Sequence, residues 1–172
     1  MALRTRLAVA GVMLILAGVA AAADDTPQFA DYPPAARFAG RNAAPVLTTP
    51  EAQRFRTRIR EAAPEKPNFD GHYIVAAWGC GTDCEMGAII DAASGRVALL
   101  PVVAGTPADA GAEFGHFEYR LGSRLLAMHG MIGEAPPMGS HYFEFDGKRL
   151  RPLKTIVKPA RRWDGATDGT RP

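Results

Sequence analysis

The chain has 172 residues, of which 47% are hydrophobic and 22% charged, a balance that supports one packed domain of ordinary size and excludes a chain too polar to fold. Lys plus Arg number 20 against 18 Asp plus Glu. Because Arg4 and Arg6 fall in an N-terminal leader, the remainder is close to neutral, which excludes the basic excess of a nucleic-acid-binding domain.

Residues 1–23 read as a secretory signal peptide. Arg4 and Arg6 precede an apolar run over 7–19, and small residues then lead to a cut expected after Ala23. The run is shorter than the roughly 20 residues that a membrane-spanning helix needs, so the expectation is a periplasmic or secreted protein with no stable membrane insertion after the leader is removed. Residues 24–48, rich in Pro and Ala, should lie extended over the surface, pinned by Phe29, Tyr32 and Phe38. A single globular domain is expected over 49–157 and a flexible tail over 158–172.

The domain should open with a helix over 50–63. Thr49 offers a hydroxyl cap, Pro50 suits the first turn, and Glu51 places an acid at the positive end. Ala52, Phe55, Ile59 and Ala62 recur three and four apart and form the expected buried stripe, with Arg54, Arg56, Arg58 and Arg60 on the flanks. From Phe69 the period becomes two. Seven runs, from "GHYIVAAW" to "KRLRPLKTIV", are divided by glycine-containing turns and predict an antiparallel meander. "ASGR" at 93–96 and "FDGK" at 145–148 supply the positive φ that tight hairpins require, and "LGSR" at 121–124 should make a third turn. The stretches 104–112 and 132–139 are expected to be loops.

Between the first two strands stands "WGCGTDCEMG", which holds both cysteines. Cys80 and Cys84 flank Gly81, Thr82 and Asp83, as across the neck of a hairpin with a three-residue tip, a separation that a disulfide accepts. Export makes oxidation the expected state. Closing so short a loop stabilises the fold by only about 2 kcal/mol, so one reading is a rigid finger presenting Thr82 and Asp83 beside Trp78. The other is that Gly79 and Gly81 impose an awkward turn that the disulfide merely holds.

Other chemistry is sparse. A zinc site on Cys80 and Cys84 would need two more ligands from His72, His116, His129 or His141, and the spacing lacks a finger pattern; no metal or other cofactor is expected. Ser94, Ser123 and Ser140 all fall at turns, outside any strained nucleophile elbow. His72 could pair with Asp70 or Asp83 as acid and base, and Glu118, Glu134 and Glu144 could supply a carboxylate pair. Neither pattern is specific enough to name a catalytic residue.

The blocks "TPEAQRFRTRIREAA", "NFDGHYIVAAWGCGTDCEMGAIIDAASGRV" and "HYFEFDGKRL" resemble a family of small, mostly uncharacterised exported bacterial proteins that share a tryptophan-glycine-cysteine-glycine stapled hairpin. The resemblance covers about 29–156 and implies an exported single domain. The strand, closed loop and strand are also similar to those of periplasmic inhibitors of vertebrate lysozyme, in which the loop plugs the enzyme's cleft. Here the tip has three residues rather than four and carries Asp83 without a histidine.

The expected fold is α+β, with one N-terminal helix packed on a twisted antiparallel sheet of about six to eight strands; an all-β sandwich or a small open barrel is the alternative. The expected function is an exported binding or inhibitor-like module that presents the stapled tip to an envelope or extracellular protein or glycan. A structural envelope protein without a discrete site and an envelope enzyme using His72 and nearby carboxylates are the competing classes.

Overall fold

The computed structural model describes residues 25–105 and 114–158. The leader expected over 1–23, most of the loop expected over 104–112 and all but the first residue of the tail over 158–172 lie outside them. A 3-10 turn at Phe29–Asp31 is followed by two short helices, α1 (Pro50–Arg54) and α2 (Arg56–Ala62). Seven strands follow: β1 (Tyr73–Gly81), β2 (Cys84–Asp91), β3 (Val97–Ala104), β4 (His116–Tyr119), β5 (Leu125–Ile132), β6 (Ala135–Phe145) and β7 (Leu150–Val157).

The helix begins as its residues dictate. Thr49 Oγ1 accepts a hydrogen bond from Ala52 N at 3.1 Å, with Pro50 in the first turn and Glu51 beside it. It does not run unbroken to residue 63. Phe55 leaves helical geometry at φ −100 and ψ 17, and its ring reaches Trp78 at 5.4 Å between centroids. The two halves rest on different strands, α1 on β3 and α2 on β1, so tertiary packing overrides a local sequence that would propagate one helix. Ala52, Ile59 and Ala63 are buried, while Phe55 and Ala62 are half-covered.

All strand pairing is antiparallel, in the order β1-β2-β3-β5-β6-β7, with β4 also paired to β5. This is not a plain meander. β3 joins β5 at only two positions, Val103↔Ile132 and Ala104↔Met131, and β4 takes the next stretch of the same edge, from His116↔His129 to Tyr119↔Leu126. The 132–139 segment is mostly strand. Gly133 and Glu134 both have positive φ and close a tight turn, while Pro136 and Pro137 sit in a bulge between Ile132↔Ala135 and Gly130↔Gly139, where missing N–H groups interrupt no ladder bond.

The sheet curls into a half-barrel. Tyr73 of β1 and Phe145 of β6 meet edge to face at 4.9 Å, although their strands are four steps apart and would lie about 19 Å apart in a flat sheet. The inner face is filled by Phe69, Tyr73, Val75, Ile89, Val103 and Met128, among others. Alternation sends Ile74 and Ala76 outward, where they join Ile90, Ala52, Ile59 and Ala63 under the helices. A small open barrel therefore describes the architecture better than one helix packed on a meander: the sheet covers its own concave face, and the helices cover only part of the outside.

Two further contacts position the margins. Asn68 closes part of the free edge of β1 by accepting from Val75 N at 2.7 Å and donating to Val75 O at 3.1 Å. The N-terminal segment crosses the outer face near β4 to β7, with Arg120 over Phe29, Lys154 on Asp25, and Tyr32 O accepting from Arg124 N and Ser123 Oγ.

Candidate functional site

The first two strands pair in regular register from Tyr73↔Asp91 to Gly79↔Glu85, and the next pair is Gly81↔Cys84. Cys80 is thus displaced into a bulge, and the turn proper is Thr82-Asp83, two residues instead of the expected three. Cys80 and Cys84 form a disulfide across a Cα separation of 5.2 Å. Asp83 takes a left-handed conformation at φ 49, which aspartate tolerates better than most residues.

The tip is also held from behind. Gly105 N donates to Asp83 O at 2.6 Å. Gly115, at φ 82, approaches so closely that a Cβ there would lie 2.5 Å from the same oxygen. Glu85 Oε2 accepts from Phe117 N at 2.7 Å and ties the base of the hairpin to β4. Gly79, Cys80, Gly81 and Thr82 remain exposed. Asp83 is half-covered, and its carboxylate makes no hydrogen bond or ion pair among the described residues. Trp78 is not part of this group: it pairs with Met86, lies about 13 Å back along the strand, and packs on Phe55.

His72 stands at the other end of β1, about 30 Å from Asp83 by strand length, so these two form no acid–base pair. Its Nε2 lies 3.7 Å from Asp91 Oδ1 and its Nδ1 3.2 Å from Ala36 O. Burial alone would raise the Asp91 carboxyl, but hydrogen bonds from Ser94, Ala93 and Arg96 outweigh it and hold the group below its ordinary value. Asp70 behaves oppositely. It is almost fully buried, and that burial pushes its carboxyl up despite the hydrogen bond from Ala35 N. Both acids organise turns at this end of the sheet.

A second polar cluster escaped the sequence reading. On the outer face of β4, β5 and β6, His129 Nδ1 lies 2.9 Å from Ser140 Oγ and its Nε2 3.4 Å from Glu118 Oε2, with the His116 ring 4.9 Å away. With the proton on Nε2, the ring faces Glu118 as donor and leaves Nδ1 to accept from the serine hydroxyl. Ser140 is a strand residue opposite His129, not a turn residue; once the β5–β6 register is known, the pairing follows. The other histidines do not join. His141 lies buried on the opposite face, with Nε2 3.0 Å from Gly130 O and Nδ1 3.2 Å from Thr155 Oγ1. Glu144 pairs with Arg124 at 2.9 Å and Glu134 sits in a turn, so the three glutamates do not form a facing pair. Among the described residues no group of three or more His, Cys, Asp or Glu could hold a metal ion.

No family model, curated protein or solved structure matches the chain.

Proposed function

We propose that this protein is a binding module, periplasmic or secreted, that offers the Thr82-Asp83 tip to an envelope or extracellular protein or glycan. The observation that supports this reading is a two-residue turn, exposed at Thr82 and half-covered at Asp83, held in one shape by the Cys80–Cys84 disulfide and by the Gly105 amide. A turn fixed in advance loses little conformational freedom on binding. The bond adds only about 2 kcal/mol of loop-closure stabilisation, small beside a two-sided apolar core, so its larger effect is on the shape of the tip. The disulfide suits an oxidising compartment, and no described helix is long and apolar enough to cross a membrane. The loop that closes a cleft in the lysozyme inhibitors offers a parallel for such a tip; Asp83, with no histidine beside it, suits a partner that presents a cation or a hydrogen-bond donor.

The test is capture from envelope extract on immobilised wild-type protein, repeated with Thr82→Ala/Asp83→Asn. Asparagine removes the charge while keeping the left-handed backbone that alanine would strain. The expected result is about tenfold weaker capture at an unchanged melting temperature. Equal capture by the folded variant overturns the tip as the site.

A further inference from the structure

One flank of the half-barrel does not close. Because β4 occupies most of the edge of β5, β3 leaves β5 after two pairs, and its earlier part has β2 on one side and an open cleft on the other. β6 and β7 form the far wall. The cleft holds about 360 Å³ and is walled by Ala98, Leu100, Ile132, Phe143 and Leu150, with Lys148 and Arg149 at one end. A second cavity of about 280 Å³ shares Ile89, Ala98, Phe145 and Lys148 with it and continues to Tyr73 and Arg96. The first volume falls at the lower end of small-molecule sites, about 300–1,000 Å³, and the second lies just below it.

The walls are carbon and partly wet. Leu100 and Phe145 are buried, but Ala98, Ile132, Phe143 and Leu150 keep part of their surface in solvent, where a ligand would cover it. The polar end carries a net positive charge, because its two acids, Asp146 and the Asp91 that lines the second cavity, are each paired with an arginine. Asp146 Oδ1 accepts the backbone N–H groups of Lys148 and Arg149, and its other oxygen pairs with Arg151. Arg96 is committed to Asp91. The side-chain cations of Lys148 and Arg149 are exposed and have no acidic partner among the described residues.

An apolar trough that ends in two unpaired cations is complementary to a single acyl chain that ends in a carboxylate. We infer that the cleft between β3 and the β6–β7 pair binds a free medium-chain fatty acid, its chain lying along Ala98–Pro101 and its carboxylate at Lys148 and Arg149. The stretch Ala98–Pro101 spans about 10 Å, which suits a chain of medium length. This site lies away from the Thr82-Asp83 tip and does not depend on it.

The experiment is calorimetric titration of the full exported chain with dodecanoate below its micellar concentration, with dodecanol as the neutral probe. Wild-type protein should bind dodecanoate at one site and dodecanol about tenfold more weakly or worse. Lys148→Ala/Arg149→Ala, both at exposed positions, should weaken dodecanoate by about tenfold and leave dodecanol unchanged. Ala98→Phe, which fills the trough, should abolish both, while Thr82→Ala/Asp83→Asn should alter neither. No dodecanoate binding by wild-type protein overturns the inference, as does equal dodecanoate affinity in the Lys148/Arg149 variant. If wild-type protein sediments as a dimer that Ala98→Phe breaks, and dodecanoate does not bind, the cleft is an interface between two copies and the fatty-acid site is wrong.

Discussion

Asp70 and Asp91 stand at the same end of the sheet and respond to acid in opposite directions. The Asp70 carboxyl is raised by burial, so its ionised form opposes folding at neutral pH. As pH falls through that raised value, the folded state takes up the proton before the unfolded chain does, and stability gains. Asparagine keeps an oxygen for Ala35 N and tolerates φ 40. Asp70→Asn should therefore raise the melting temperature at pH 7, and the gain should shrink toward zero as pH falls below the carboxylate range. The Asp91 carboxyl is held below its ordinary value by hydrogen bonds that outweigh its burial; its contribution is present above the unfolded value and is lost as pH falls through the folded one. Asp91→Asn should cost about 1–3 kcal/mol at pH 7, and the cost should shrink as pH falls below the ordinary carboxylate value and through the lowered folded one, read from urea midpoints along an acid series. At this scale the sequence showed which residues can ionise but not what surrounds them. The run "GHYIVAAW" was read as the first strand, yet only the structure brings Ala35 and Ser123 onto Asp70 just before it.

Among the elements, the stapled hairpin was the most legible, because cysteine spacing and glycine placement are local properties. Its two-residue turn was not, since the bulge at Cys80 depends on how β1 and β2 register. Alkylation without reductant, followed by mass measurement, should give no adduct. Cys80→Ser/Cys84→Ser should lower stability by about 1–3 kcal/mol with an unchanged circular dichroism spectrum, because the Gly105 amide still holds Asp83 O. Thr49 and Pro50 announced the helix start correctly. The break at Phe55 comes from a ring 23 residues further along, at Trp78, which no helical period encodes. "IGEAPPMG" read as a loop for its prolines, although a bulge accommodates them within a strand.

For the molecule as a whole, period-two patterning gave the strands and their antiparallel sense. It could not give the curl, which arises from β3 and β4 sharing one edge of β5 and from aromatic contact between strands far apart in the sheet. Protection should follow that topology. Backbone amides of Leu126, Ala127 and Met128, at the doubly paired and fully buried centre, should exchange slowest in deuterium-exchange mass spectrometry. β7, paired on one side and mostly exposed, should exchange at least tenfold faster, as expected for regions that open at low free energy. A sheet that stops short of a full barrel also keeps β1 and β7 as margins on which a foreign strand could add. β7 carries Pro152 and Lys154, residue types that discourage such growth. On β1 the corresponding guard is the Asn68 side chain, whose amide occupies the hydrogen-bonding groups of Val75 as a neighbouring peptide would. Together with the Asn68 and Phe69 backbone, which occupies the hydrogen-bonding groups of Tyr73 in the same way, that carboxamide stands between this stretch of the margin and fibril-like self-association.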